Sequence, residues 1–468
     1  MEEPKQTLDK SLYFKYPFWK KLLISGGDFG GTFTWGFLGS FAMIFYTDVF
    51  GISAWAVSII MLISRIWDGI NDPLVGILAD RTRSRWGRYR PWILFGSVSV
   101  IITLTLLFWA RPEWNDTSKF VYALITYCLF VLAYTCVNMP YVAMMATLTQ
   151  DPNERGAFAG IRLMTGMVAI TILSYIALPM VAGYGGDDRV RGYALTALTM
   201  ALIGTPFLLM AFGFSKERIR PKQQIKMKFV DGLNMVRRNP PLIYALVGQF
   251  MFGFLSYGRI SVFLYYFTYY LKDALYLFPI FAMTARLSNA AGSVTSMFWV
   301  KTFKNKGRVV FLGYTVFGIC LMIQGFTTPT ITPVPFWLLN VVGNYFCGIA
   351  YSQNYGIVPD SVEYGEWKTG IRAEGFISSF VSFFSKLGMA VGTFGTAAML
   401  GALGYVANQA QTERVLTGIN TFMFWGSGAV CLITGIVFLG YKLSNAKFDE
   451  VVQNIQQQNT ETPAAQDV

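Results

Sequence analysis

The sequence contains no histidine among its 468 residues, and only 14% of them are charged. Without histidine, the commonest general base and the commonest ligand of transition metals are missing, so any proton chemistry must use carboxylates. The five cysteines show neither CxxC nor metal-ligand spacing, which indicates small packing residues rather than a metal site. A phosphate-binding loop of the GxxxxGK[ST] type is also missing, so nothing here predicts nucleotide hydrolysis.

Apolar residues, in contrast, make up 54% of the chain, and its mean hydropathy is +0.44. Apolar runs of roughly 20 residues, each about long enough to cross a bilayer core of ~30 Å, recur from end to end. We therefore predict an all-α polytopic membrane protein whose main partner is the lipid bilayer. The predicted spans are 22–50, 53–79, 91–110, 119–146, 157–183, 191–214, 240–271, 275–300, 308–327, 335–358, 375–402 and 417–441.

The net charge is +12, and the basic residues are concentrated in the predicted loops rather than on one continuous surface. The first 20 residues are polar and basic without an apolar h-region, so we expect the first span to be retained. Lysine and arginine concentrate in segments that share one side of the membrane, which predicts that both termini are cytoplasmic. The charge is then a topology signal that also attracts anionic lipid, and no nucleic-acid partner is expected.

A basic segment divides the spans six and six. We predict an N-terminal half (1–214), a central cytoplasmic loop (215–239), a C-terminal half (240–441) and a disordered cytoplasmic tail (442–468). The segment DRTRSRWGR after span two and the segment KTFKNKGR after span eight are a faint internal repeat, which indicates that one six-helix unit has been doubled.

Carboxylates inside the spans are the strongest functional signal. An ionised aspartate at the centre of a span costs about 2.5 kcal/mol or more, so such residues usually face the protein interior. Asp28 lies in span one, and Asp68 and Asp72 lie one turn apart on one face of span two, with Arg65 and Asn71 beside them. A buried ion pair is the structural alternative, but one arginine cannot balance three aspartates, which favours a cation site.

Further polar residues occur in spans four, five and eleven. Thr135 and Asn138 lie near one helical stripe, while Arg162 and Lys386 are intramembrane cations that need carboxylate partners, which the span-two aspartates can supply. Snorkelling is the alternative for Arg162. Two more arginines in spans seven and eight fit helix packing and substrate contact about equally, Arg259 and Arg286.

Four long motifs carry a family resemblance. They are GGDFGGTFTWGFLGSFAMIFYTDVFGI, RIWDGINDPLVGILADRTRSRWGRYRPW, VNMPYVAMMATLTQDPNERG and VPDSVEYGEWKTGIRAEGFISSFVSFFSKLG. Over about residues 20 to 450 the chain resembles the glycoside-pentoside-hexuronide:cation symporters of the major facilitator superfamily. The resemblance implies twelve transmembrane helices in two pseudo-repeated halves, a monomer in a bacterial inner membrane, and symport of a sugar with a cation.

The resemblance also implies roles for individual residues. The cation site would be Asp68, Asn71, Asp72 and Thr135, with Asp68 and Asp72 as metal ligands if the ion is Na⁺. The sugar site would be Asp28, Asn138, Arg162 and Tyr351. Lys386, with Arg65, would link the two sites. A cytoplasmic gating loop would contain Asp360, Glu363, Arg372 and Glu374.

The coupling ion and the substrate class rest on finer features. Asn138 stands where sodium-coupled melibiose carriers have an acidic residue, which favours H⁺ over Na⁺ because a proton needs only one carboxylate. The segments GYVANQAQTERVLTGI and YGEWKTGIRAEG look most like glucuronide and sulfosugar carriers, which favours an anionic sugar or glycoside. No cofactor besides the coupling ion is expected.

Two other classes of function stay open at this stage. A non-transporting sugar sensor or a lipid carrier could use the same scaffold. A membrane-integral enzyme is the least favoured, since intramembrane aspartyl chemistry needs carboxylates on two facing helices, whereas Asp68 and Asp72 share one.

Overall fold

The computed structural model describes residues 14–145, 147–149, 151–217, 236–272, 274–369 and 374–461, with only the backbone described at 152, 153, 374, 375, 452 and 455–461. The described residues are helical, apart from connecting turns and one isolated β-bridge between Ser84 and Gly87. The chain divides into two compact units, Met1–Gln223 and Gln224–Val468, called the first and second unit below.

The first unit contains seven α-helices in the part of it that the structure describes. They are α1 (Phe18–Ser25), α2 (Gly27–Ile44, continued by a π-helical turn, Phe45–Val49), α3 (Ala54–Arg81), α4 (Arg90–Leu107), α5 (Asp116–Met145), α6 (Pro152–Gly185) and α7 (Arg189–Phe214). The predicted first span therefore comprises α1 and α2, which meet at Gly26.

The second unit contains eight helices among its described residues. They are α8 (Pro240–Tyr265, continued by a π-helical turn, Tyr266–Tyr270), α9 (Phe278–Phe303), α10 (Lys306–Gln324), α11 (Pro333–Thr369), α12 (Glu374–Ala402), α13 (Glu413–Asn420), α14 (Ser427–Phe438) and α15 (Asn445–Glu461). A π-helical turn, Thr421–Gly426, joins α13 to α14, so the predicted last span is one helix with a local widening.

Nine helices of the described chain are long and apolar enough to cross a membrane. The three predicted spans outside this group contain α2, α3 and α9, and each of these helices carries charged residues that make it less apolar. These helices include Asp28, the two α3 aspartates and Arg286. The count of twelve spans stays a prediction, and the all-helical architecture is confirmed.

Close helix crossings position the first unit's elements. Gly30 of α2 and Gly204 of α7 lie against each other, and a Cβ added to Gly204 would be 2.7 Å from the Gly30 carbonyl oxygen. Aromatic rings of α2 continue this contact, since Phe37 packs on Phe41 and on Phe108, with ring centroids 5.0 and 4.9 Å apart. The crossing fixes the N-terminal end of α2, where Asp28 lies.

Helix α15 lies within 442–468, the tail that its composition predicts to be disordered, so that prediction is wrong for 445–461. The backbone N–H of Asn445 donates to the Lys304 carbonyl at 3.1 Å. Val451 is buried, 1% exposed, and α15 packs on α11. Composition missed the helix because its anchoring contacts come from residues distant in sequence.

Helix α11 continues to Thr369, whereas the resemblance implies a loop from Asp360 to Glu374. Asp360 is buried in α11, and Nζ of Lys306 lies 2.8 and 2.7 Å from its two carboxylate oxygens. Val362 is buried in the next turn. The ion pair to α10 and this apolar contact keep the segment helical, so the predicted loop is wrong up to Thr369.

Candidate cation and sugar sites

The buried face of α3 is polar at mid-helix, and its outer face is apolar. Ser64, Arg65, Asp68 and Asn71 are at most 4% exposed, and Asp72 is half-buried. The side chains that face outward are Ile63, Ile66, Ile70, Leu74 and Ile77. A helix with this inverted pattern suits lipid outside and a polar site inside.

Thr135 of α5 joins the α3 aspartates, as the resemblance implies. Its hydroxyl donates to Oδ1 of Asp72 at 3.4 Å, a long hydrogen bond. The indole N–H of Trp67 donates to the Cys128 carbonyl at 3.1 Å, which also joins α3 to α5, about two turns along α5 from Thr135. Carboxylate and hydroxyl oxygens of two packed helices therefore converge at one buried point.

Arg65 lies beside this point, on the same helix as the two aspartates. Its guanidinium lies over the ring of Trp35, 5.1 Å from the ring centroid. Trp35 in turn stacks on Tyr134 at a centroid distance of 4.6 Å. The guanidinium of Arg65 on α3 thus lies on an aromatic stack that Trp35 of α2 and Tyr134 of α5 form beside the carboxylates.

Asn138 lies one turn beyond Thr135 on α5 and is half-buried. Thr135, the hydrogen-bond partner of Asp72, lies on the same helix, and Asn138 lies between Thr135 and the C-terminal end of α5. Among the described residues, no group of three or more His, Cys, Asp or Glu side chains could hold a metal ion. Na⁺ at Asp68 and Asp72 would accordingly need hydroxyl, amide or carbonyl oxygens as well.

Asp28 and Arg162 form the second charged group, between α2 and α6. Two guanidinium nitrogens of Arg162 bond the two carboxylate oxygens of Asp28, with Nη2 and Oδ1 3.2 Å apart. The Tyr141 hydroxyl lies 3.3 Å from Oδ2 of Asp28 and 3.1 Å from the Ile24 carbonyl oxygen. The Tyr141 ring also lies under the guanidinium, 5.1 Å from its carbon.

This pair corrects two expectations. The partner of Arg162 is Asp28 rather than the α3 aspartates, and the bidentate contact replaces the snorkelling alternative. Asp28 is also neutralised by this contact. Two further intramembrane aspartates of this unit, Asp68 and Asp72, lie on α3 together with Arg65.

A cavity of about 480 Å³ opens beside the pair within the first unit. Asp28, Thr32 and Arg162 supply its polar lining, and Gly166 and Met167 are among its apolar lining residues. Polar groups grouped at one side of a mostly apolar cavity are typical of small-molecule sites. The predicted sugar residues Asp28 and Arg162 thus share a cavity.

The second unit carries the remaining predicted residues, and it is described by itself. Tyr351 of α11 stacks on Phe252 of α8, with ring centroids 3.9 Å apart, and meets Tyr355 edge-on at 4.9 Å. These three rings form an aromatic surface around Tyr351, which the resemblance implies to be a sugar-site residue. Lys386 is half-buried on α12.

The implied gating residues differ from one another. Asp360 is held by Lys306, and Glu363 lies in the same helix. Arg372 lies outside the described residues, and Glu374 is described only as the first backbone position of α12.

Arg259 and Arg286, whose roles the sequence leaves open, lie in different environments. Arg259 is buried, its Nε donates to the Met423 carbonyl at 3.2 Å, and its guanidinium lies over Phe263 and Phe317. These contacts favour helix packing for Arg259. Arg286 is exposed in the second unit.

Two buried amides were missed by the sequence analysis. Gln249 of α8 and Asn354 of α11 are fully buried, and their side-chain amide atoms have no hydrogen-bond partner among the described residues. In the sequence, each of these residues stands out only as a single amide inside a long apolar run. Such groups cost free energy unless water or a ligand satisfies them, so they mark a polar spot in the second unit.

Known proteins resemble this chain over nearly its whole length. Residues 23–445 match the MFS/sugar transport protein family. The chain is 30% identical to the isoprimeverose transporter of Lactiplantibacillus pentosus, over 99% of this chain and 96% of that protein. It is 28% identical to the glucuronide carrier protein homolog of Escherichia coli (strain K12), over 93% and 95%. The solved D-xylose-proton symporter has a similar fold, with a TM-score of 0.66 at 12% identity over 91% of this chain and 97% of that chain.

Proposed function

This chain belongs to the MFS/sugar transport protein family, and from that premise we propose that the α3 aspartates couple sugar uptake to entry of a cation. The family predicted from the sequence motifs is confirmed, and the chain is a secondary active sugar transporter of the multi-pass membrane class rather than an enzyme. The observation that carries the coupling proposal is the buried polar face of α3, where Asp72 accepts a hydrogen bond from Thr135.

The proposed cycle begins at Asp68 and Asp72. A proton or Na⁺ that binds there removes the repulsion between two carboxylates one turn apart in an apolar surrounding. Loading lowers the cost of rocking one half against the other, while the empty and negative site resists passage through the membrane. We prefer H⁺, because Asn138 supplies no charge to this site. Lys386 is proposed to link the cation and sugar sites.

The sugar is proposed to bind at the cavity beside Asp28 and Arg162. A carboxylate accepts hydrogen bonds from sugar hydroxyls, and a guanidinium donates two parallel bonds to a carboxylate or sulfonate. Opening the Asp28 and Arg162 pair would offer both partners to the substrate at once. An anionic sugar or glycoside is the preferred class, supported by the likeness to a protein named as a glucuronide carrier homolog. Tyr351 and Asn138 are proposed to complete the site.

The test replaces Asp72 by Asn, which keeps the side-chain shape and removes the charge. A thermal-shift screen of purified protein against neutral glycosides, uronides and sulfonated sugars first identifies the substrate. In proteoliposomes, Asp72→Asn should abolish accumulation against a gradient while substrate exchange and thermal stabilisation persist. Asp187→Asn is the matched control, since Asp187 is exposed in the turn between α6 and α7.

Accumulation by Asp72→Asn at the wild-type level would refute the coupling role of this residue. Loss of both substrate binding and exchange, in a variant that unfolds at the wild-type temperature, would place Asp72 in the sugar site instead. Transport of a neutral glycoside with no response to uronides or sulfonated sugars would refute only the substrate class.

A further inference from the structure

A groove runs along the outer face of the first unit between α4 and α5. Its volume is about 520 Å³, and its lining is mostly apolar or small, including Phe95, Gly96, Ser99 and Leu129. Phe95 is 63% exposed and Leu129 is 45% exposed, so the groove opens outward. In a membrane protein, an outward apolar groove faces lipid tails.

The groove has the length of one leaflet. Its α4 lining extends from Pro91 to Thr103, and a helix rise of 1.5 Å per residue makes this about 18 Å. The hydrocarbon layer of one leaflet is roughly 15 Å, half of a ~30 Å core. A single acyl chain that enters at the Pro91 end can therefore lie along the groove for its full depth.

The Pro91 end of the groove adjoins the basic loop between α3 and α4. Trp92 lines the groove, and its indole N–H donates to the Thr82 hydroxyl at 2.8 Å. Arg81 and Arg83 flank Thr82, and both are exposed. Among the described residues neither of these two arginines takes part in an ion pair.

A second contact joins the same loop to the groove wall. The Trp86 ring lies 6.4 Å from the ring of Phe95, and the guanidinium of Arg85 lies 4.5 Å from the Trp86 centroid. Arg85 is exposed as well. Three exposed arginines therefore surround the mouth of an apolar groove.

The nearby carboxylates are already engaged. Asp80 accepts from the Tyr89 hydroxyl at 2.6 Å, and burial together with this bond raises the pKa of Tyr89, which keeps the phenol a neutral donor. Glu217 accepts from the backbone N–H groups of Arg88 and Tyr89, both at 2.9 Å. Among the described residues, neither carboxylate forms an ion pair with Arg81, Arg83 or Arg85.

We propose that this groove binds an anionic diacyl phospholipid of the surrounding bilayer. One acyl chain lies between α4 and α5, and the phosphate lies against Arg81, Arg83 and Arg85. Basic pockets between membrane helices hold anionic headgroups in this way, and each arginine near the surface strengthens binding about fivefold. The site is separate from the α3 cluster, and it does not depend on the transported substrate.

The charge arm of the test uses full-length protein and phosphatidylglycerol. Native mass spectrometry counts lipids retained from mixed phosphatidylglycerol and phosphatidylethanolamine micelles. The groove variant is Arg81→Gln/Arg83→Gln/Arg85→Gln, and the control with equal charge loss is Arg237→Gln/Arg238→Gln/Lys301→Gln, at exposed positions of the second unit. We expect roughly tenfold or greater loss of phosphatidylglycerol binding in the first variant only.

The second part of the test blocks the groove and leaves the sequence of the basic loop unchanged. Ser99 is exposed and lines the groove, so Ser99→Trp should block the acyl chain and reduce phosphatidylglycerol binding to the level of phosphatidylethanolamine. Val98 is 51% exposed beside it without lining the groove, which makes Val98→Trp the matched control. Equal unfolding temperatures of the two variants verify that both fold.

Three outcomes would overturn the proposal. Equal retention of the two lipids by the wild-type protein would remove the headgroup preference. Loss of binding in the arginine variant with none in Ser99→Trp would indicate general surface attraction rather than a groove. A dimer that Ser99→Trp converts to a monomer would make the groove an interface between two copies of the chain.

Discussion

At the residue scale, charge balance singles out the α3 aspartates. Asp28 is neutralised by Arg162 in a bidentate contact, so it no longer competes for a coupling cation. Asp68 is 3% exposed, and Asp72 accepts a hydrogen bond from Thr135. Two carboxylates one turn apart repel each other, and a bound cation relieves this repulsion, which suits the proposed cation coupling.

Asn138→Asp should shift the ion preference towards Na⁺. An added carboxylate one turn from Thr135 supplies the further anionic oxygen that Na⁺ lacks in this site. We expect Na⁺ stimulation of uptake at fixed pH to rise by about tenfold, measured as initial rates with and without Na⁺. Asn138→Gln keeps a neutral amide and should leave the Na⁺ response unchanged.

Either of two results would count against this assignment. An unchanged Na⁺ response in Asn138→Asp would mean that position 138 does not reach the cation. A wild-type protein that already requires Na⁺ would show that the preference for protons is wrong.

At the element scale, the crossing of α2 and α7 sets the position of Asp28. The backbones approach closely at Gly30 and Gly204, where any side chain would meet a carbonyl oxygen. The same helix α2 then presents Asp28 to Arg162 of α6. A displacement of α2 at this crossing would therefore separate the ion pair as well as loosen the unit.

Gly204→Val should destabilise the protein, because overpacking a tight contact costs about 1–3 kcal/mol. A Cβ at Gly204 would already lie 2.7 Å from the Gly30 carbonyl oxygen. The unfolding temperature and the rate of sugar uptake should both fall. Gly213→Val on the same helix is the control, since a Cβ there meets nothing within 4 Å. Equal unfolding temperatures for the two variants would contradict the close crossing.

At the scale of the whole molecule, coupling to one cation limits how far sugar can be concentrated. For a neutral glycoside, moving one charge through ~100 mV supplies about 2.3 kcal/mol, which corresponds to roughly 50-fold accumulation at one-to-one stoichiometry. One-to-one symport of a singly anionic sugar moves no net charge, so its uptake must be driven by the concentration gradient of the cation. Accumulation on this scale requires no nucleotide hydrolysis, and the sequence has no phosphate-binding loop of the GxxxxGK[ST] type.

Proteoliposomes with an imposed potassium diffusion potential of ~100 mV should accumulate a neutral glycoside up to about 50-fold, whereas a singly anionic sugar should accumulate only when a gradient of the coupling cation is imposed. The gradient should collapse when a protonophore is added, if H⁺ is the coupling ion. Vesicles without a potential or a pH gradient serve as the control and should only equilibrate. Accumulation in those vesicles would show a different energy source.

The sequence by itself determined the helical membrane class, the family and the position of Asp68 and Asp72 on one helix face. These features are local or repetitive: apolar runs repeat along the chain, and a spacing of four residues places side chains together on any helix. The motifs that carried the family are continuous stretches, so they too could be recognised without the fold.

Only the tertiary structure decided which charges meet. Arg162 bonds Asp28 across 134 positions, and Lys306 bonds Asp360 across 54, which turned an expected loop into helix. The groove between α4 and α5, and the contact of its mouth with the basic loop, likewise arise where two helices pack. Partners distant in the chain leave no local pattern, because the packing of helices chooses them after each helix has formed.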